Sequence, residues 1–182
     1  MAKRREQRRH SRVEHPGGEE APIRFELFST ERLVQHAVSL AQAQKISGRK
    51  EGQKLIPRVR ENSRVLHAAY KTVAKAVREQ HAITPAAEWL LDNFHVLEEQ
   101  ITDIYVDLPE SYYRELPKLA DGVLAGYPRV YGIAWALVAH SDSRFDPESL
   151  TVFVRAYQTI EPLTIGELWA IPITLRVLLI EN

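Results

Sequence analysis

The chain has 182 residues, 45% hydrophobic and 26% charged, with 24 basic side chains against 24 acidic ones. That length supports one domain with a real core, and the charge balance gives the whole chain no net pull toward nucleic acid or an acidic membrane. The absence of cysteine excludes disulfides and thiolate metal sites and fits a reducing compartment.

The overall balance hides a basic amino terminus, where Lys3, Arg4, Arg5, Arg8, Arg9 and Arg12 stand against Glu6 alone. No apolar run follows these charges, so they do not read as a secretory signal. Residues 1–22 read as a disordered basic tail, because they carry almost no large apolar side chain to bury. Phe25, Leu27 and Phe28 open the packed part, and residues 23–82 form a helical lead-in of two helices.

Ser29 and Thr30 are natural N-caps, and Leu33, Ala37, Leu40 and Ala41 follow at helical spacing. The polar stretch 47–52 is a turn or short linker bounded by glycines. Pro57 suits the first turn of the second helix, whose apolar face runs through Val59, Leu66, Ala69, Tyr70, Val73, Ala76 and Val77. Thr84-Pro85 opens a third helix with a buried stripe of Leu90, Leu91, Phe94, Leu97, Ile101 and Ile104. Leu108-Pro109 ends it, and a short amphipathic turn around Tyr112, Tyr113 and Leu116 follows.

Pro128 starts a helix in which Val130, Tyr131, Ile133, Trp135, Leu137 and Val138 are apolar almost all the way round. Such a helix is central in a bundle or buried against a partner. Asp146-Pro147-Glu148 starts the next one, with Leu150, Phe153, Val154 and Tyr157 facing inward. Thr164-Ile165-Gly166-Glu167 is a capping-box pattern that opens the last helix. That helix passes Pro172, where a kink is expected, and continues through Leu175, Val177, Leu178, Leu179 and Ile180. No Gly, Asn-Gly or Pro closes it, so it reads as a greasy rod that needs neighbours and suggests that the natural polypeptide continues. The stretch 130–139 is about half the roughly 20 residues of a bilayer span, and 168–180 is interrupted by Pro172 and Arg176, so no membrane span is read. The fold class is therefore all-α: an irregular bundle of about six helices behind a disordered basic tail, and an incomplete domain.

Glu88, Asp92, His95, Glu99 and Asp103 share one helix face. A di-metal centre would need matching carboxylates and a second Glu-x-x-His from facing helices. No second motif occurs and the apolar stripe lies opposite, so the row reads as a solvated face. His140, Asp142 and Asp146 lie between two helices and could ligate a metal or relay a proton; Asp146 is better used as an N-cap, and Arg144 as the partner of a neighbouring acid. Tyr112, Tyr113, Tyr127, Tyr131, Trp135 and Trp169, with Arg129, could line a sugar-binding surface, though helical aromatics commonly serve as core. Of these, Tyr112, Tyr113, Arg129, Trp135 and Trp169 are the candidates for a sugar or domain-docking surface. The basic tail could contact acidic lipid or nucleic acid, but it lacks the interleaved aromatics of RNA readers. No Gly-x-x-x-x-Gly-Lys-Ser/Thr, Gly-x-Gly-x-x-Gly, His-Glu-x-x-His, Gly-x-Ser-x-Gly or Asp-x-Asp occurs. No catalytic site, metal or cofactor is expected in this chain.

The segments ITPAAEWLLDNFHVLEEQI (83–101), YYRELPKL (112–119), GYPRVYGIAWALVAHSDSRFDPESL (126–150) and AYQTIEPLTIGELWAIPITLRVLLIEN (156–182) stand in one order and spacing. In them residues 83–182 resemble the amino-terminal region of the cyclic β-1,2-glucan synthases, large bacterial glycosyltransferases; nothing distinctive is read in residues 1–82. The resemblance implies a cytoplasmic helical region that precedes membrane spans and a transferase domain, in enzymes of the bacterial inner membrane. That domain polymerises glucose from UDP-glucose, and a phosphorylase-like part acts on chain length. This chain corresponds to the first part only, so it looks like a fragment or an isolated module, and no catalytic residue carries over to it. Its implied partners are the downstream membrane and transferase domains of the same enzyme.

Overall fold

A computed structural model describes residues 28–50, 52–141 and 146–182. The expectations for the 1–22 tail, for Phe25 and Leu27, and for Asp142 and Arg144 lie outside these residues. Among the described residues there are seven helices: α1 (Thr30–Ala43), α2 (Leu55–Arg78), α3 (Pro85–Asp107), α4 (Glu110–Glu115), α5 (Arg129–His140), α6 (Pro147–Gln158) and α7 (Ile165–Glu181). The short turn expected near Tyr112 is the additional helix, α4. Two two-residue strands, β1 (Ile46–Ser47) and β2 (Lys118–Leu119), pair antiparallel with Ile46 opposite Leu119.

The helix starts follow the caps legible in the sequence. Ser29 accepts the Arg32 amide, Thr84 accepts the Ala87 amide with Pro85 in the first turn, and Asp146 accepts the amides of Glu148 and Ser149. Thr164 and Glu167 form the full reciprocal capping box.

Two helix pairs make the body, with α1 along α6 and α5 along α7; α2 lies along α3, and α7 touches the base of both. Helix α5 takes the central place its all-round apolarity foretold; every residue from Arg129 to Ala139 except Trp135 is buried. Helix α7 finds most of its neighbours inside the chain, with Ala170, Ile171, Ile173, Thr174, Leu175, Val177 and Leu178 buried. Apolar side chains of this rod stay exposed along one stripe only, at Ile165, Leu168, Trp169 and Leu179. Helix α7 runs unbroken through Pro172, which lies on that open side. At its far end Glu181 accepts from Arg58 (2.8 Å) and from the Tyr131 hydroxyl (2.9 Å), fastening α7 to the start of α2.

Helices α2 and α3 leave the body as a two-helix arm. Leu55 and Val59 are the buried residues of α2, and in α3 Phe94 is buried together with Ile101 and Ile104 near the base. Leu90, Leu91 and Leu97 are only half-buried, because out on the arm each helix has a single neighbour. Tyr70 stacks on Phe94 with ring centres 4.3 Å apart, which fixes the register of the pair.

The loop from β2 to α5 ties the body together through buried polar groups. The Lys118 ammonium donates to the carbonyls of Tyr113 (2.6 Å) and Leu116 (2.7 Å), closing the end of α4 while almost wholly buried. Burial pushes its pKa down to about 8, opposed by the Glu115 carboxylate. An unfolded chain keeps this proton up to the ordinary lysine range, so the unfolded state binds more protons above pH 8 and stability rises with pH there. Urea unfolding should show a gain of about 1–2 kcal/mol between pH 7.5 and 9.5 that is absent in Lys118→Met. Above pH 10 the trend reverses, since burial holds the Tyr113, Tyr131 and Tyr157 phenols protonated past their usual range. Equal slopes in wild type and variant would refute the assignment.

Candidate functional site

The stripe left open on α7 forms one wall of a surface groove of about 670 Å³. Trp169, Pro172, Ile173 and Arg176 come from α7, Val106 and Asp107 from the end of α3, and Pro109 and Tyr112 from the start of α4. The Trp169 indole is 73% exposed and Val106 71%, an unusual outlay of apolar surface on two facing helices. Arg176 reaches across to Asp107 at 2.9 Å, so the charged pair at the margin is neutral as a unit. The Tyr112 hydroxyl donates to the Gly166 carbonyl at 2.5 Å, which fixes its ring against the wall.

Of the five candidates read from the sequence, Tyr112 and Trp169 meet in this groove, and the other three do not join them. Tyr113 is buried, its hydroxyl donating to the Gln53 carbonyl. Trp135 is half-buried against the core. Arg129 is buried in an ion pair that clamps α5 to α7. Its Nε donates to Glu167 Oε1 and its Nη2 to Oε2, both at 2.7 Å, and it also reaches Glu161 and the Pro162 carbonyl. Burial disfavours the charge of Arg129, but the hydrogen bonds and charge of Glu167 outweigh it and hold the guanidinium protonated. Arg129, a candidate for a sugar or docking surface in the sequence, instead follows Pro128 into the core, and its partner stands 38 positions away.

The groove residues missed by sequence reading left a faint trace. Pro172 and Arg176 break the apolar run of α7, and they mark its open side. Val106 stands off the buried stripe of α3.

The acidic row on α3 points away from the core: Glu88, Asp92, His95 and Glu99 are exposed and Asp103 is half-exposed. Among the described residues no three of His, Asp and Glu come together as metal ligands. The His140 group is also split. Asp146 caps α6, while His140 stacks on Phe28 at 3.8 Å with His36 edge-on at 4.8 Å. Burial, and then the neighbouring His140, push the His36 pKa down.

Fold and site together define an all-α module with an open aromatic groove; the titratable groups that line it are bound to one another or to backbone. Over 126 residues, 69% of its length, the chain is 47% identical to the cyclic beta-(1,2)-glucan synthase NdvB of Rhizobium meliloti (strain 1021). The resemblance to this synthase family seen in the sequence therefore holds. A match of 126 residues is longer than the stretch 83–182, so it also takes in part of the lead-in, where the sequence alone showed nothing distinctive. It spans 4% of the relative's length. No protein-family model matches the chain. Among the described residues no helix is long and apolar enough to cross a membrane.

Proposed function

We propose that this chain is the amino-terminal, cytoplasmic-face module of a cyclic β-1,2-glucan synthase-like glycosyltransferase, a scaffold or docking element that does not transfer glucose by itself. The observation that carries this reading is the 47% identity over 126 residues to such a synthase. The open groove beside Trp169 supports a docking role: its apolar walls and its internally neutralised Asp107–Arg176 pair suit a protein surface of low charge.

Complementation tests it. A cyclic β-1,2-glucan synthase lacking the segment that corresponds to this chain should make little glucan from labelled UDP-glucose. Co-expression of this chain should restore synthesis, and the chain alone should incorporate no label. Trp169→Asp should abolish the restoration while leaving the helical circular-dichroism signal intact. Failure of the wild-type chain to restore synthesis would sink the reading.

A further inference from the structure

The α2–α3 arm carries a second seam that its own pairing leaves partly open. The first seam is the half-buried row that joins the two helices. One residue earlier on α3, Trp89, Asn93, Val96 and Gln100 repeat the same four-three spacing; on α2, Asn62, Val65, Ala69, Thr72 and Ala76 do likewise.

Helical periodicity and one observed contact place both rows on the same side of the arm. His67 of α2 meets Glu98 of α3 at 3.6 Å, which marks one flank of the α2–α3 joint. Val65 and Ala69 on α2, and Val96 and Gln100 on α3, project from the opposite flank. Arg58, one step before Asn62, and Asp107, two steps past Gln100, bind Glu181 and Arg176 of α7. Helix α7 thus covers this flank at the base of the arm. Beyond it no charged residue occurs at the nine seam positions, and Val65, Trp89 and Val96 are 60%, 57% and 41% exposed. The rim on the α3 side is acidic, formed by Asp92, Glu99 and Asp103.

We infer that this flank is a cradle for one amphipathic helix from the remainder of the synthase polypeptide. The docked helix lays an apolar face between α2 and α3 and carries Lys or Arg along the edge beside α3. The seam spans about 20 Å, three to four turns of helix, which is long enough for i, i+3, i+4 and i+7 anchors. Acidic neighbours select the basic edge, and α7, seated on the same flank at the base, limits how far the helix can extend.

The inference rests on the proposed function, and the complementation assay separates the two. With the wild-type chain restoring synthesis, the double variant Val65→Glu with Val96→Glu should reduce restoration at least tenfold. Asp92→Lys with Glu99→Lys should reduce it several-fold, more so at low salt. Lys71→Glu, on the other flank, should change nothing, and circular dichroism should report unchanged helicity throughout. A photo-crosslinker on Asn93→Cys, the sole thiol in this chain, should label a helix-forming segment of the synthase that bears basic residues. Full restoration by both double variants, or a crosslink to a second copy of the chain, would overturn the inference while leaving the proposed function standing.

Discussion

Arg129→Met should cost about 3–5 kcal/mol of folding stability, because it leaves the Glu167 carboxylate buried without its countercharge. Glu167 is fully buried and accepts both guanidinium bonds at 2.7 Å, along with the Thr164 amide that closes the capping box. Removing the arginine therefore damages two things at once: the clamp between α5 and α7, and the start of α7. For a domain of this size the loss corresponds to a fall in Tm of roughly 6–20 °C. Arg129→Lys should recover little, since a single ammonium cannot serve the two Glu167 oxygens, Glu161 and the Pro162 carbonyl together. A double variant with Glu167→Met should lose less than the sum of the two single changes, because the stranded charge goes too. Thermal and urea unfolding of the four proteins make the test; an Arg129→Met loss below 1 kcal/mol would show that the pair is not the anchor its geometry implies.

The second large effect is expected where no side chain is involved. A Cβ added at Gly52 would fall 2.1 Å from the carbonyl oxygen of Gly126. That oxygen already accepts the Gln53 amide at 2.9 Å, and the Gly126 amide donates to Leu119 at 2.8 Å. Gly126 itself sits at φ +84, in the left-handed region that favours glycine. Neither backbone can yield without parting the junction between the β1–α2 linker and the β2–α5 loop. Gly52→Ala should therefore lose about 2–3 kcal/mol, at the upper end for overpacking, because backbone cannot rotate away as a side chain can. Gly48→Ala is the internal control: nothing lies within 4 Å of its added methyl, and its stability should stay within about 0.5 kcal/mol of wild type. Equal behaviour of the two variants would refute the contact.

The elements legible in the sequence are those decided by bonds within a single helix turn. Ser29, Thr84, Asp146 and Thr164 cap the helices that they were read to cap, because a cap joins residues two or three apart. The all-round apolarity of α5 likewise announced a central helix, since no face of it could rest in water. Burial on the arm was overestimated for Leu90, Leu91 and Leu97: periodicity tells which face is apolar, not how many neighbours arrive to cover it.

The candidate site was half legible. Tyr112 and Trp169 were picked out as aromatics, and they do line one groove, yet the same reasoning also selected Tyr113, Trp135 and Arg129. Residue type could not separate these two groups. Their difference is made by partners far along the chain: Gln53 for Tyr113, 60 positions away, and Glu167 for Arg129, 38 away.

By itself the sequence determined the helical class, the helix starts and the apolar faces, because each is set by short-range hydrogen bonding and a 3.6-residue period. Only the tertiary structure decided which stripe of α7 stays open, that Lys118 is buried at the end of α4, and that α2 and α3 leave the body as an arm. Those outcomes depend on the crossing of helices distant in sequence, where the covering of one face fixes what another face has left to offer.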